Sequence, residues 1–128
     1  MAAVAEVMNK SVVTVDPTSS IGEAAEKMNA ANVGAVVVVE DFARIVGIVT
    51  ERDLMRAVAQ RARAAEARVR QWMTESVVTI EPDTEIHDAA KMMFKRNFRH
   101  LPVVNKEGRL MGIASLRRLS QHEFEQSK

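Results

Sequence analysis

Short runs of β-branched residues alternate along the chain with segments whose apolar residues recur at helical spacing. In the first half, Ser11–Val15 and the continuous run Val33–Val39 predict strands, the second of them covered on both faces. Between these runs the apolar residues return at every third or fourth position, which predicts a helix over Ser20–Ala31. Ile45–Val49 predicts a further strand, and Thr50 opens a second helix. The first half therefore has the predicted order β-α-β-β-α.

The second half repeats the first at a constant offset. Met8–Pro17 returns as Met73–Pro82, a shift of 65 residues, and Gly47 meets Gly112 at the same offset without a gap. The second copy predicts strands over residues 77–80, 101–104 and 110–114, and helices over residues 85–97 and 116–125. Two copies favour a closed pseudo-symmetric pair over an open array of repeats.

Composition limits the classes of protein to which the chain can belong. Its 128 residues have room for one domain or for two small halves that fold together, and 47% of them are hydrophobic, which is enough for a core. A net charge of +1 argues against strong general attraction to nucleic acid or to anionic membranes. The chain has no cysteine, and its longest apolar run is far shorter than the roughly 20 residues of a membrane-spanning helix. We therefore expect a cytoplasmic protein without disulfides, zinc-thiolate sites or membrane spans.

Residues 56–70, between the two copies, are rich in Ala and Arg. Because both residue types favour helix, the segment predicts a continuation of the first copy's last helix, followed by a short connector. Its arginines would also suit an RNA-binding arm, but a solvated helix face is the commoner explanation.

Specific motifs stand at fixed places in the two copies. Gly47–Leu54 resembles the signature G-h-h-T-x-x-D, in which h is hydrophobic, that closes a CBS domain. Arg99–Val104 resembles the family's h-P-V-V strand, and Val12–Pro17, like its twin at residues 77–82, resembles the opening strand. Together the motifs cover nearly the whole chain, which is therefore similar to a stand-alone pair of CBS domains, also called a Bateman module. On this interpretation residues 1–65 form the first CBS motif with its connector, and residues 66–128 form the second.

The resemblance implies an α/β fold of the α+β type, in which two three-stranded sheets pack about a pseudo-two-fold axis with helices outside. In the family, two clefts between the sheets bind adenosyl compounds such as AMP, ADP, ATP, NAD or S-adenosylmethionine. The Asp of T-x-x-D holds the ribose hydroxyls there, and basic residues face the phosphates. Carried onto this chain, the first cleft is predicted to contain Thr14, Asp16, Ile21, Gly34, Ala35 and Val36 around the base, Thr50 and Asp53 at the ribose with Arg52 beside them, and Arg99 and His100 toward phosphate.

The second cleft departs from the family pattern at one position. Ser115 keeps the hydroxyl of Thr50, but Arg118 stands where the first copy has Asp53. Since an Arg side chain only donates hydrogen bonds, it cannot accept them from a ribose diol. We predict that this cleft holds no nucleoside in the usual pose, or holds only phosphate or another anion. Its candidate residues are Thr79, Glu81, Leu101, Pro102, Ser115 and Arg118.

Thr50 and Asp53 also have a purely structural interpretation, because a hydroxyl and an acid three residues apart cap the start of a helix. Ser20 and Glu23 have the same spacing and predict a capping box. Both roles can hold together at Thr50 and Asp53, since the positive end of a helix also favours an anion.

The sequence shows no pattern of catalytic or metal-binding residues. His87, His100 and His122 have no partner at convincing ligand spacing, and no nucleophile–base pair or Gly-rich phosphate loop is visible. We therefore expect a regulatory module without catalysis, metal or required cofactor. It would sense an adenosyl ligand, form a homodimer through its helices and act on a protein partner that the sequence does not name. Two alternatives stay open: a nucleic-acid-binding protein, and a structural partner-binding module whose clefts stay empty.

Overall fold

The computed structural model describes residues 2–41 and 44–126, and their packing separates the chain into two units. Val13–Val77 form the first-copy unit, whereas Met1–Val12 together with Val78–Lys128 form the second-copy unit. These units do not follow the predicted domains 1–65 and 66–128. The segment that opens each copy packs within the unit of the other copy.

The first-copy unit has its strands and helices in the predicted order. They are β1 (Thr14–Val15), α1 (Ile21–Ala31), β2 (Ala35–Glu40), β3 (Arg44–Thr50), α2 (Glu51–Ala59) and α3 (Val69–Trp72). The sheet has the strand order β1-β2-β3, with β1 parallel and β3 antiparallel to β2. Its core joins β2 to α1, where Val36, Val38 and Ala24 are fully buried.

Helix α1 begins at the capping box that its sequence predicts. The Ser20 hydroxyl accepts a hydrogen bond from the Glu23 N–H at 3.1 Å, and the Glu23 carboxylate accepts one from the Ser20 N–H at 3.3 Å. The helix ends at Asn32, whose φ of 54° lies in the left-handed region that Asn tolerates better than most residues. The local sequence therefore sets both ends of this helix.

Helix α2 stops earlier than the sequence predicts. Arg61 has a φ of 64°; its N–H donates to the Val58 carbonyl at 3.0 Å, and the Ala62 N–H donates to the Ala57 carbonyl at 2.9 Å. This pair of bonds around a left-handed residue is a common way of ending a helix. Helix α2 continues into the Ala- and Arg-rich segment only as far as Ala59, so the predicted continuation is too long and the predicted connector too short.

The segment after α2 returns to the start of α1. The carbonyls of Ala64 and Ala67 accept hydrogen bonds from the N–H groups of Gly22 and Ile21, both at 2.9 Å. The first N–H groups of a helix have no partner within it, so these bonds satisfy donors that would otherwise need water. Tertiary bonds of this kind outweigh the helix propensity of Ala and Arg.

The second-copy unit contains a 3₁₀ turn at Val4–Glu6, and then α4 (Ile86–Arg96), β4 (His100–Val104), β5 (Leu110–Ser115) and α5 (Leu116–Gln126). β4 and β5 are antiparallel, and Gly108 in their turn has a φ of 81°, as expected for the glycine of a hairpin. The N-terminal segment completes this unit. Val4 is fully buried, and Asn9 exchanges two backbone hydrogen bonds of 2.9 Å with Ile113.

The sheet of the second-copy unit has two strands within the described part of the chain, although the resemblance implies three. Residues 77–80, which the pattern predicts as a strand, make a single parallel bridge, between Ile80 and Val103. The prediction of a full strand there is wrong.

Pro102 gives the physical reason for the missing strand. In the first copy, the Val37 N–H donates to the Val13 carbonyl at 3.1 Å, and this bond extends the pairing of β1 with β2. Pro102 stands at the position of Val37, 65 residues later. Proline has no N–H, so the corresponding bond to the Val78 carbonyl cannot form. The bridge at Ile80 is what remains of the strand.

Candidate functional site

The best candidate site lies where β3 passes into α2. The Thr50 hydroxyl accepts from the Asp53 N–H at 3.5 Å, and Asp53 Oδ2 accepts from the Thr50 N–H at 2.9 Å and from the Thr50 hydroxyl at 3.2 Å. Asp53 is a buried charged residue, with 4% of its surface exposed. The structural interpretation of this pair is therefore confirmed, and the carboxylate is held in a fixed orientation at the positive end of a helix.

Arg56 is a member of this site that the sequence analysis missed. Its Nη2 lies 2.7 Å from Asp53 Oδ1, and the Arg56 side chain is 52% exposed while that of Asp53 is 6% exposed. The available signal was the spacing, because an acid and a base three residues apart on a helix are neighbours. Both carboxylate oxygens of Asp53 thus have partners within the same chain.

Other predicted residues gather at the same end of the sheet. Ala35 is paired with Thr50 across β2 and β3, and the Gly34 carbonyl accepts the Glu51 N–H at 3.1 Å. Thr14 lies in the neighbouring strand β1. These residues share one edge of the first-copy unit with the start of α2.

Three further predicted residues of the first-copy unit differ from these in their exposure and contacts. Asp16 is exposed, and its Oδ1 accepts from the Thr18 hydroxyl at 2.6 Å and from the Thr18 N–H at 2.8 Å. Both hydrogen bonds hold the pKa of Asp16 below its ordinary value, and the bond from the Thr18 hydroxyl has the larger effect. Ile21 is buried in the core at the start of α1, and Arg52 is exposed on α2.

The second copy has the same turn with different chemistry. The Ser115 hydroxyl accepts from the Arg118 N–H at 3.2 Å, as Thr50 accepts from Asp53. Arg118 itself is exposed, and Ser115 pairs with His100 across β5 and β4. The Arg99 carbonyl accepts the Leu116 N–H at 2.8 Å, which repeats the arrangement of Gly34. The backbone of the site is duplicated, but the acidic side chain is not.

The remaining candidates of the second copy divide into buried and exposed residues. Leu101 and Pro102 lie buried in β4, whereas Thr79 and Glu81 are exposed ahead of α4. The second-copy unit therefore offers no buried carboxylate at these predicted positions.

Over residues 2–41 and 44–126, no group of three or more His, Asp or Glu side chains is placed to hold a metal ion. The helices in the same stretches are too short or too polar to cross a membrane.

Comparison with known sequences matches the CBS domain to the chain twice, over residues 4–60 and 69–124. An uncharacterized 17.7 kDa protein from the bps2 3′ region of Acidianus ambivalens is 38% identical over 118 residues, which cover 92% of this chain and 71% of that protein. A protein of Methanopyrus kandleri, MK0525, is 37% identical over 94% of this chain, which spans 62% of its length.

Solved structures share the fold. The CBS domain pair of protein MJ0100, in complex with 5′-methylthioadenosine and S-adenosyl-L-methionine, gives a TM-score of 0.90 at 28% identity and covers 100% of this chain and 99% of that one. The AMP complex of the CBS domain protein PAE2072 from Pyrobaculum aerophilum gives 0.84 at 32% identity and covers 91% of this chain and 89% of that one. These matches confirm the predicted fold class, a mixed α/β chain with two tandem motifs.

Proposed function

The chain belongs to the CBS domain family, and we propose that it is a regulatory module without catalysis, which binds an adenosyl ligand at the start of α2. Two relatives support the ligand class, since MJ0100 was solved with 5′-methylthioadenosine and S-adenosyl-L-methionine and PAE2072 with AMP. The observation that carries the proposal is the buried Asp53 carboxylate beside Thr50. A fixed ionised acceptor makes the stronger kind of hydrogen bond with a ribose diol.

In the proposed site, Asp53 accepts from the ribose hydroxyls, and the residues at this end of the sheet border the base. Those residues are Thr14, Gly34 and Ala35, whereas Val36, whose side chain is fully buried, would offer only its backbone. The positive start of α2 favours the anionic part of a nucleotide. The predicted contacts of Asp16, Ile21, Arg52, Arg99 and His100 stay predictions.

The second copy is proposed to hold no ribose. Arg118 occupies the position of Asp53, is exposed and has no acceptor atom. Phosphate or another anion remains the ligand that suits a guanidinium and a helix start.

We also propose that the protein forms a homodimer through its helices and that ligand occupancy changes the shape of this dimer. Met55 and Val58 on α2 are 64% and 72% exposed, and Phe94 on α4 is 79% exposed. Large apolar side chains at this exposure suit a partner surface. Light scattering on a sizing column should give twice the chain mass, and Val58→Glu or Phe94→Glu should lower it. A monomer for the unchanged protein would contradict the dimer.

Thermal unfolding with a panel of ligands tests the adenosyl proposal. AMP, ADP, ATP, NAD, S-adenosylmethionine and 5′-methylthioadenosine are each added in large excess, with GMP and inorganic phosphate as controls. A ligand at 100 times its Kd adds about 2.7 kcal/mol, which raises Tm by several degrees. At least one adenosyl compound should shift Tm while GMP does not.

One observation favours a second candidate function, a structural partner-binding module. Thr50 and Arg56 of the same chain occupy both oxygens of Asp53, so the acid has a complete role without a ligand. If no adenosyl compound shifts Tm, this second function replaces the first. The regulated partner and the cytoplasmic location stay predictions.

A further inference from the structure

The hydrogen-bonding capacity of Asp53 is nearly used up. A carboxylate has about four lone-pair sites. At Oδ2 the Thr50 N–H and hydroxyl take two of them, and at Oδ1 the Arg56 guanidinium takes a third at 2.7 Å. A ribose diol brings two O–H donors, but only about one lone-pair site of Asp53 is free. Asp53 can therefore accept from both hydroxyls only if one of its present donors leaves.

Arg56 is the donor that can leave most readily. The Thr50 N–H is part of the backbone that starts α2, and the Thr50 hydroxyl oxygen is held at the same cap because it accepts from the Asp53 N–H. The Arg56 side chain is 52% exposed on a long flexible stem, and water can solvate its guanidinium as soon as it moves away. Water screens the exposed Arg56 end of this ion pair, and the ribose hydroxyls would take its place beside the buried Asp53 carboxylate.

We propose that Arg56 is a specificity-determining residue, which competes with the ribose for Asp53 and thereby favours phosphorylated adenosyl ligands over uncharged ones. The inference rests on the proposed function, because it assigns a role within the same site. An uncharged nucleoside that displaces Arg56 leaves the guanidinium without a counter-ion. A nucleotide brings a phosphate within the range over which charges attract at physiological salt, about 8 Å, and so replaces the lost carboxylate.

Two ligands that differ only in the phosphate test this role. The Kd values of adenosine and AMP are measured by calorimetry for the full chain and for Arg56→Met, which keeps the length of the side chain and removes its charge and its donors. Without the competitor, adenosine should bind about two- to fivefold more tightly, the span of a weak ion pair. The affinity for AMP should rise less than the affinity for adenosine, or should fall, because Arg56→Met also removes the attraction to the phosphate. The preference for AMP should therefore fall.

Matched variants separate this role from a general loss of charge. Arg44→Met removes the same charge and breaks a similar pair in the same unit, where Arg44 lies 2.6 Å from Glu40, and it should leave both Kd values unchanged. Arg56→Lys keeps the charge and should keep the preference for AMP. Arg56→Gln provides a second uncharged variant if Arg56→Met fails to give a cooperative thermal transition.

Three outcomes have different consequences. If the unchanged protein binds AMP and adenosine but Arg56→Met binds adenosine no more tightly, or with the same preference, Arg56 is not a competitor and this inference is overturned while the proposed function stands. If the unchanged protein binds neither ligand although another adenosyl compound shifts its Tm, the role of Arg56 is overturned and the proposed function stands. If no adenosyl compound shifts Tm, the proposed function fails, and the role of Arg56 fails with it.

Discussion

Met73 lies so close over Gly47 that a β-carbon added to the glycine would stand 2.5 Å from the Met73 sulfur. Met8 lies over Gly112 in the same way, at 2.8 Å, and the Asn9 carbonyl oxygen is 2.9 Å from that β-carbon position. Each methionine opens one copy of the repeat and packs in the unit of the other copy. Glycine is therefore needed in both copies because a neighbouring segment approaches the strand closely.

The close approach predicts different costs at the two glycines. Gly112→Ala should destabilise the protein by about 1–3 kcal/mol, because the Asn9 carbonyl is backbone and cannot turn away. At Gly47 the closest contact is the flexible Met73 side chain, and the backbone carbonyl of Thr74 stands further away, at 3.1 Å. Gly47→Ala should therefore cost less, and less still in a Met73→Ala background. Urea unfolding of the single and double variants measures these differences. Equal costs for Gly47→Ala in both backgrounds would contradict the contact.

The proline at position 102 predicts a pair of reciprocal substitutions. Val37→Pro removes the N–H that bonds to the Val13 carbonyl and should cost about 1–3 kcal/mol in urea unfolding. Pro102→Val restores the missing donor, and its new amide should exchange slowly with solvent hydrogen. If that amide exchanges at the rate of an open chain, the proline is not the cause of the short pairing.

Loss of the Asp53 carboxylate should weaken adenosyl binding. Asp53→Ala removes the proposed acceptor of the ribose hydroxyls, and the expected loss is roughly 1–3 kcal/mol by calorimetry, the scale of hydrogen bonds to a charged group. Asp88→Ala is the matched control, since Asp88 is an exposed acid in the first turn of α4. If the Asp53→Ala protein binds as tightly as the unchanged chain, Asp53 only caps the helix and does not bind the ligand.

An acid at the equivalent position should make the second copy resemble the first. Arg118→Asp supplies an acceptor three residues after Ser115 and places negative charge in the first turn of α5, which should stabilise the helix by about 0.3–1 kcal/mol. The number of ligands bound per chain should rise from one to two in calorimetry. A rise in Tm without a rise in the number bound would show that the acid caps the helix but does not create a ribose site.

The local elements were predictable because their signals lie within a few residues. The Ser20–Glu23 box and the β-branched run that forms β2 depend on neighbours in the chain, so pattern alone locates them. The failed predictions depend on partners far away in sequence. The end of α2 was missed because Ala64 and Ala67 bond to α1, and the strand at 77–80 was wrongly predicted because its partner is a proline.

The candidate site was predictable in its residue types but not in its contacts. A T-x-x-D motif gives the hydroxyl and the acid, and both lie together at the start of α2. The motif says nothing about Arg56, which holds Asp53 from one turn further along the helix. The repeat also could not predict the packing of the opening segments. Its constant offset is the same whether each opening segment packs on its own copy or on the other one.

The exchange of opening segments also affects how the chain folds during synthesis. The first-copy unit is contiguous, so all of its contacts are available as soon as residue 77 has left the ribosome. Val4 and Met8 are made before it, yet their partners in residues 78–126 are made only after it. The apolar segment around Val4 and Met8 therefore stays unburied while the whole first-copy unit is made, and until residues 78–126 follow it is open to chaperones and to aggregation.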